Sequence, residues 1–135
     1  MKKIKDDKKQ QELILKLGMY EQQIQQVQQQ LEAIEHGIVE LDSLNTELDE
    51  IKGSEGKEIM AQIGRGIFIK SKILSDELIV DVGGKNFVKK TVPETQELIN
   101  KQLEKLEEAK ESLNNSIIEI SNKAEELVEE FKGKD

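Results

Sequence analysis

The sequence predicts a mainly α, α+β fold in which a long antiparallel two-helix coiled-coil hairpin is interrupted at its bend by two inserted β-hairpins. Residues 13–48 and 99–131 place apolar side chains at alternating intervals of three and four, the spacing of a heptad seam. Between them lie short Val/Ile-bearing runs separated by glycine, a strand-and-turn pattern. The composition agrees: 36% charged and 3% aromatic residues, with a mean hydropathy of -0.60, suit solvent-washed helices better than a thick core.

The chain reads as a single domain, and its elements follow in order. Residues 1–7 form a charged, flexible leader. It is basic but is followed by further charge instead of an apolar stretch, so it does not read as a signal peptide. The first helix, residues 8–52, carries Leu17, Ile24, Leu31 and Ile38 at heptad position a. Leu13, Tyr20, Val27, Ile34, Leu41 and Leu48 occupy d, giving five heptads of agreement. Gly53-Ser54-Glu55-Gly56 then supplies a C-cap and turn signal.

Residues 53–93 form the double β-hairpin segment, with β-prone runs at 59–63, 67–73, 78–82 and 87–92. Gly64-Arg65-Gly66, Ser75-Asp76 and Gly83-Gly84-Lys85-Asn86 separate them. The second helix, residues 94–132, is announced by Thr91 and Glu94 at capping-box spacing and by the sole proline, Pro93. Leu103, Ile117, Ala124 and Phe131 sit at a, and Ile99, Leu106, Leu113, Ile120 and Leu127 at d. Residues 133–135 form a tail. The matched arm lengths favour pairing within one chain, since a parallel dimer of each arm leaves the middle segment unexplained.

Two seam positions are polar, Asn45 and Lys110. They either fix register or are tolerated because a two-stranded seam is partly wet. Gly18 and Gly37 lie inside the first helix, where each costs about 1 kcal/mol relative to alanine.

Composition also excludes functions. The net charge of -8 repels phosphate backbones, and the scarcity of aromatic rings removes the stacking platforms of single-strand binders, so no nucleic acid is expected. The charge is uneven: residues 1–52 hold 7 basic and 11 acidic side chains, 53–93 hold 7 and 5, and 94–135 hold 6 and 12. The absence of cysteine fits a reducing compartment, and no segment approaches the roughly 18 apolar residues of a membrane span. These features predict a soluble, cytoplasmic protein with no membrane partner.

No catalytic constellation is legible. Gly53-Ser54-Glu55-Gly56-Lys57-Glu58 has two residues between its glycines where a phosphate loop has four, and glutamate where that loop has Ser/Thr. Gly64-Arg65-Gly66 lacks the third glycine of a dinucleotide fingerprint. His36, the single histidine, has only helix-spaced Glu32, Glu35 and Glu40 nearby in sequence, a weak ligand set. The expectation is therefore no enzyme, no metal and no cofactor.

Contact surfaces are more legible. Leu15 and Met19 fall at f and c, while Ile14 and Val128 fall at e beside the seam. In a symmetric hairpin these residues converge with Leu13, Leu127 and Phe131 at the free tip, where off-seam apolar side chains mark a contact surface. Methionine adds a side chain that repacks easily. Ile4 is a further apolar candidate in the leader. In the middle segment, Ile59, Ile63, Ile67, Phe68, Ile69, Ile73, Leu78, Val80, Val82, Phe87 and Val88 sit on hairpins whose edges invite pairing with other chains.

Tyr20, Ile24, Val27 and Leu31, the double hairpin with Phe68-Ile69-Lys70 and Val82-Gly83-Gly84, and the helix after Pro93 together resemble the alpha subunits of the prefoldin family over nearly the whole chain. The resemblance rests on element order, lengths and two hairpins where the family's beta subunits have one. The Glu58-Ile59-Met60-Ala61-Gln62-Ile63 run departs from the proline- and valine-richer strand such a subunit would carry. The resemblance implies a jellyfish-shaped hexamer of two alpha and four beta subunits, with hairpins forming oligomeric β-barrel bodies. It also implies ATP-independent capture of unfolded polypeptides at the coiled-coil tips and delivery to a group II chaperonin. Assembly would then belong to residues 59–92 and client contact to the tips. The competing reading from another class is a structural coiled-coil scaffold, or filament-forming subunit, that assembles through its β-hairpins. A helical RNA-binding arm would need a basic arm, and both arms are acidic.

Overall fold

The computed structural model describes residues 2–133, with side chains from residue 7 onward. Residues 134 and 135 of the expected tail lie outside the described residues, as does the side chain of Ile4. The elements run α1 (Lys2–Ile51), β1 (Glu58–Gly64), β2 (Ile67–Lys72), β3 (Leu78–Asp81), β4 (Phe87–Lys90) and α2 (Val92–Gly133). Helix α1 begins inside the stretch expected to be a flexible leader, because neither glycine nor proline precedes Gly18 and nothing in the run interrupts a helix.

Helix α1 stops where the glycine signal predicts. Gly53 is left-handed at φ 67°, and the Ser54 amide donates to the Ile51 carbonyl at 3.0 Å while the Ser54 hydroxyl donates to the same carbonyl. Helix α2 starts earlier than its expected position, and Val92, read from sequence as the end of a strand, is instead its first residue. Thr91 is the reason. Its hydroxyl donates to the Glu94 carboxylate at 3.0 Å and accepts the Glu94 amide at 3.2 Å, which ends β4 and caps the helix.

The chain divides into two compact units: a terminal unit of residues 1–37 and 106–135, and a central unit of residues 38–105. In the terminal unit the predicted seam holds residue by residue. Leu13, Leu17, Tyr20, Ile24, Val27 and Ile34 are half-buried and Leu31 is buried. Their counterparts Leu106, Leu113, Ile117, Ile120, Ala124, Leu127 and Phe131 are half-buried. Lys110 is accommodated by Glu35, whose carboxylate lies 3.9 Å from its ammonium group. Both partners keep access to solvent, so this pair contributes little.

The central unit contains the buried cluster. Leu48, Val92 and Ile99 pack together, surrounded by Leu41, Ile51, Leu78 and Leu103. Val92, 2% exposed, is held there by the capped first turn of α2. Beside the cluster the Asn45 side-chain amide donates to the Asn100 side-chain oxygen at 2.9 Å. The Gln96 amide donates to the Asp49 carboxylate at 2.7 Å and to the Asn45 carbonyl at 3.3 Å. Asn45 Oδ1 is buried without a partner, so the polar crossing of the seam is only partly compensated.

Two separate two-stranded antiparallel sheets complete this unit. β1 pairs with β2 from Glu58↔Lys72 to Gln62↔Phe68, then shifts register between Gln62 and Gly64 before the turn at Gly66. β3 pairs with β4 from Leu78↔Lys90 to Asp81↔Phe87. Its turn places Gly83, Gly84 and Lys85 at positive φ, with Asn86 accepting from the Val82 amide at 2.9 Å. The residues forming this tight reversal include the glycine pair read from sequence.

Candidate functional site

Two groups of exposed apolar residues stand out, one in each unit. At the ends of the terminal unit the predicted tip set divides by heptad position. Leu13, Leu127 and Phe131 belong to the seam and are half-buried. They line an open groove of about 210 Å³ with Lys9, Glu12, Lys16 and Glu130. Val128 is also half-buried and lines a second groove of about 360 Å³ with Leu17 and Ala124, flanked by Glu125, Glu129 and Lys132. Opposite-end residues of the chain thus meet, as the hairpin reading requires.

Ile14, Leu15 and Met19 are different. They are exposed, Leu15 at 68% and Met19 at 59%; Leu15 and Met19 at f and c face away from a two-helix seam, and Ile14 at e flanks it. They line neither groove. Sequence reasoning therefore found the exposed residues but overstated their convergence with Val128 and Phe131. It also overlooked Leu17 and Ala124, whose seam assignment concealed a role in lining a groove. Val39 and Ile118, both exposed at heptad position b, were overlooked as well; their signal was the same departure from seam positions that identified Leu15.

In the central unit the two hairpins are unequal. Both faces of the β1–β2 hairpin are open: pairing places Ile59, Ala61, Ile67 and Ile69 on one face, Met60 and Phe68 on the other. Of these only Ala61 is even half-buried. The β3–β4 hairpin packs one face inward through Leu78 and Val80 and leaves Ile79 and Phe87 exposed on the other. Of the residues predicted for assembly, Ile59, Ile63, Ile67, Phe68, Ile69, Val82, Phe87 and Val88 are exposed. Ile73, Leu78 and Val80 are half-buried, and Leu78 is already engaged with the core cluster. Met60, Leu74 and Ile79 are exposed apolar residues that the sequence reading passed over.

Among the described residues no group of three or more His, Cys, Asp or Glu could hold a metal ion. No helix among them is long and apolar enough to cross a membrane. His36 and Glu40 are engaged in interactions within the fold.

A coiled-coil pair bearing two hairpins, one uncovered on both faces, defines a subunit class built to meet other chains. The family model described as "Prefoldin subunit" matches residues 20–134. Prefoldin subunit alpha of Methanobrevibacter smithii is 32% identical over 112 residues, spanning 82% of this chain and 77% of the relative. Prefoldin subunit alpha of Methanococcus aeolicus is 31% identical over 119 residues, spanning 87% of this chain and 81% of the relative. A chain in the cryo-EM structure of filamentous PFD from Methanocaldococcus jannaschii shares the fold. Its TM-score is 0.77 at 23% identity, covering 85% of this chain and 97% of that one. The chain belongs to the prefoldin family and is a chaperone subunit of that family.

Proposed function

We propose that this subunit is part of an ATP-independent holdase in the cytoplasm that captures unfolded polypeptides at its coiled-coil tips and passes them to a group II chaperonin. The carrying observation is the exposure of Ile14, Leu15 and Met19 beside a seam whose own apolar residues are already engaged. Non-native chains offer exposed apolar segments, and a single small patch holds them weakly. Several arms acting together raise the avidity by orders of magnitude. Leu13, Leu127, Val128 and Phe131, which line the two separate grooves, add further apolar contacts, and the flanking acidic side chains keep the loaded complex dispersed. No step requires a cofactor or bond chemistry.

The exposed hairpin residues support assembly with beta subunits of the same family, two alpha to four beta, through residues 59–92. Two-stranded ribbons with an uncovered apolar face are marginal alone and gain stability from partner strands. A filament-forming scaffold is the second reading, favoured by the likeness to a chain of the filamentous assembly from M. jannaschii.

The test is light scattering as a denatured protein is diluted into nucleotide-free buffer with the assembled complex. Suppression near stoichiometric ratios is expected, together with loss of suppression when Leu15, Met19, Val128 and Phe131 are all replaced by serine. Full suppression by an intact quadruple-serine complex overturns the tip assignment. Undiminished aggregation in the presence of the unaltered complex moves the function to the scaffold reading.

A further inference from the structure

The chain has no cysteine and three methionines, Met1, Met19 and Met60, so thioethers are its only readily oxidised sulfur. The side chain of Met1 lies outside the described residues. Met19 and Met60 are equally open, each 59% exposed, but they belong to different surfaces. Met60 lies within β1, opposite Lys70, in the segment assigned above to assembly. Met19 lies inside α1, four residues after Leu15, so the two exposed side chains are neighbours on one outward face of the helix. Two features leave Met19 unshielded. Position c turns it away from the seam. Gly18 beside it has no side chain, and nothing lies within 4 Å of where a Cβ would stand there.

We propose that Met19 is an oxidation switch on the client-contact surface: a hydroperoxide converts its thioether to the sulfoxide, and client capture weakens. The proposal rests on the holdase reading and adds a modification site to it. The step is a two-electron oxygen transfer. The sulfur lone pair attacks the terminal peroxide oxygen, and the S–O bond forms as the O–O bond breaks. The proton of that oxygen passes to the leaving oxygen, which departs as an alcohol, or as water when the oxidant is hydrogen peroxide. Sulfur is oxidised and the peroxide is reduced. Methionine sulfoxide reductases reverse the change, with a dithiol giving up two electrons to become a disulfide and the oxygen leaving as water. The consequence follows from the residues around Met19. Ile14, Leu15 and Met19 form the exposed patch, and Met19 is its flexible member, able to repack against different partners. The sulfoxide is polar, so burying it against an apolar segment carries a desolvation cost that the thioether escapes. Several arms hold a client together, so a modest loss at each arm is multiplied across the complex.

The test treats the assembled complex with graded hydrogen peroxide. The mass gain of one oxygen on each methionine peptide is followed while client protection is read by light scattering. Met19 is expected to oxidise before Met60, and protection is expected to weaken by about tenfold in step with Met19. Methionine sulfoxide reductase is expected to restore it. In an M19L complex, compared with its own untreated control, peroxide is expected to change protection little. Met19 left unmodified at doses that oxidise a free methionine peptide overturns the proposal. So does complete Met19 oxidation without loss of protection, an equal peroxide-induced loss in the M19L complex, or a loss that follows dissociation of the complex. An unoxidised complex carrying Ile14→Ser and Leu15→Ser separates the switch from the reading beneath it. If that variant loses protection while Met19 oxidation changes nothing, the switch fails and the tip assignment stands. If neither change affects a complex that protects clients, the tip assignment fails with it.

Discussion

The terminal and central units are built on the same two helices with the same heptad pattern, yet they bury their residues to different depths. In the terminal unit each seam residue meets its partner across one interface, and solvent reaches both sides; Leu31 alone among the described seam residues there is buried, and it keeps 9% of its surface exposed. In the central unit, the capped start of α2 and the inward face of the β3–β4 hairpin add a third layer over Leu48, Val92 and Ile99. Two helices alone form a grip, while two helices and a ribbon form a small core. The hairpins then differ in turn, because β3–β4 spends one apolar face on that core and β1–β2 spends neither.

The sharpest way to break this contrast is Leu48→Ala. Truncating a buried core leucine costs roughly 2–5 kcal/mol. Urea unfolding of the complex at fixed protein concentration should show that loss, and a change below about 1 kcal/mol would mean that the ribbon does not seal the core. Ile24→Ala, at a half-buried seam position of the terminal unit, should lose less, about 1–2 kcal/mol by the same measurement. Equal losses at the two positions would erase the distinction between the units.

Replacing Asn45 and Asn100 together by leucine removes the hydrogen-bonded pair and the orphaned Asn45 Oδ1. A melting temperature raised by an amount equivalent to roughly 1 kcal/mol is expected, with loss of a single defined oligomer in sedimentation, since a polar seam pair fixes register at the expense of stability. A destabilised but homogeneous oligomer would refute that role. Gly18→Ala tests the terminal unit from the other side. Nothing lies within 4 Å of the position its Cβ would take, so a gain of about 1 kcal/mol is expected from helix propensity alone. The smallest effect on stability belongs to Leu15→Ser, expected within about 0.5 kcal/mol because the side chain is mostly exposed.

The helices were legible because a heptad repeat depends on local spacing alone. Every apolar a and d position assigned from 13 to 48 and from 99 to 131 is half-buried or buried. The turns were legible for a similar reason: Gly53 and the Gly83-Gly84 pair adopt backbone angles that favour glycine. Thr91 and Glu94 marked the helix start, although the strand run was read two residues too far because Val92 suits a strand as well as a first helical turn.

The candidate surfaces were only half legible. Leu15 and Met19 stood out because they violate the heptad. Leu17 and Ala124 did not, because lining a groove and filling a seam demand the same residue type at the same position. Nor could periodicity separate Leu78, which packs against the core, from Ile79, which faces solvent with Phe87: alternation tells that neighbouring strand residues point to opposite faces, not which face is covered. The sequence by itself determined the elements, their order, the seam and the turns, because each is set by residues close together in the chain. Only the tertiary structure decided which hairpin lies against the helices and which leucines are already used, because burial depends on what the rest of the chain brings alongside.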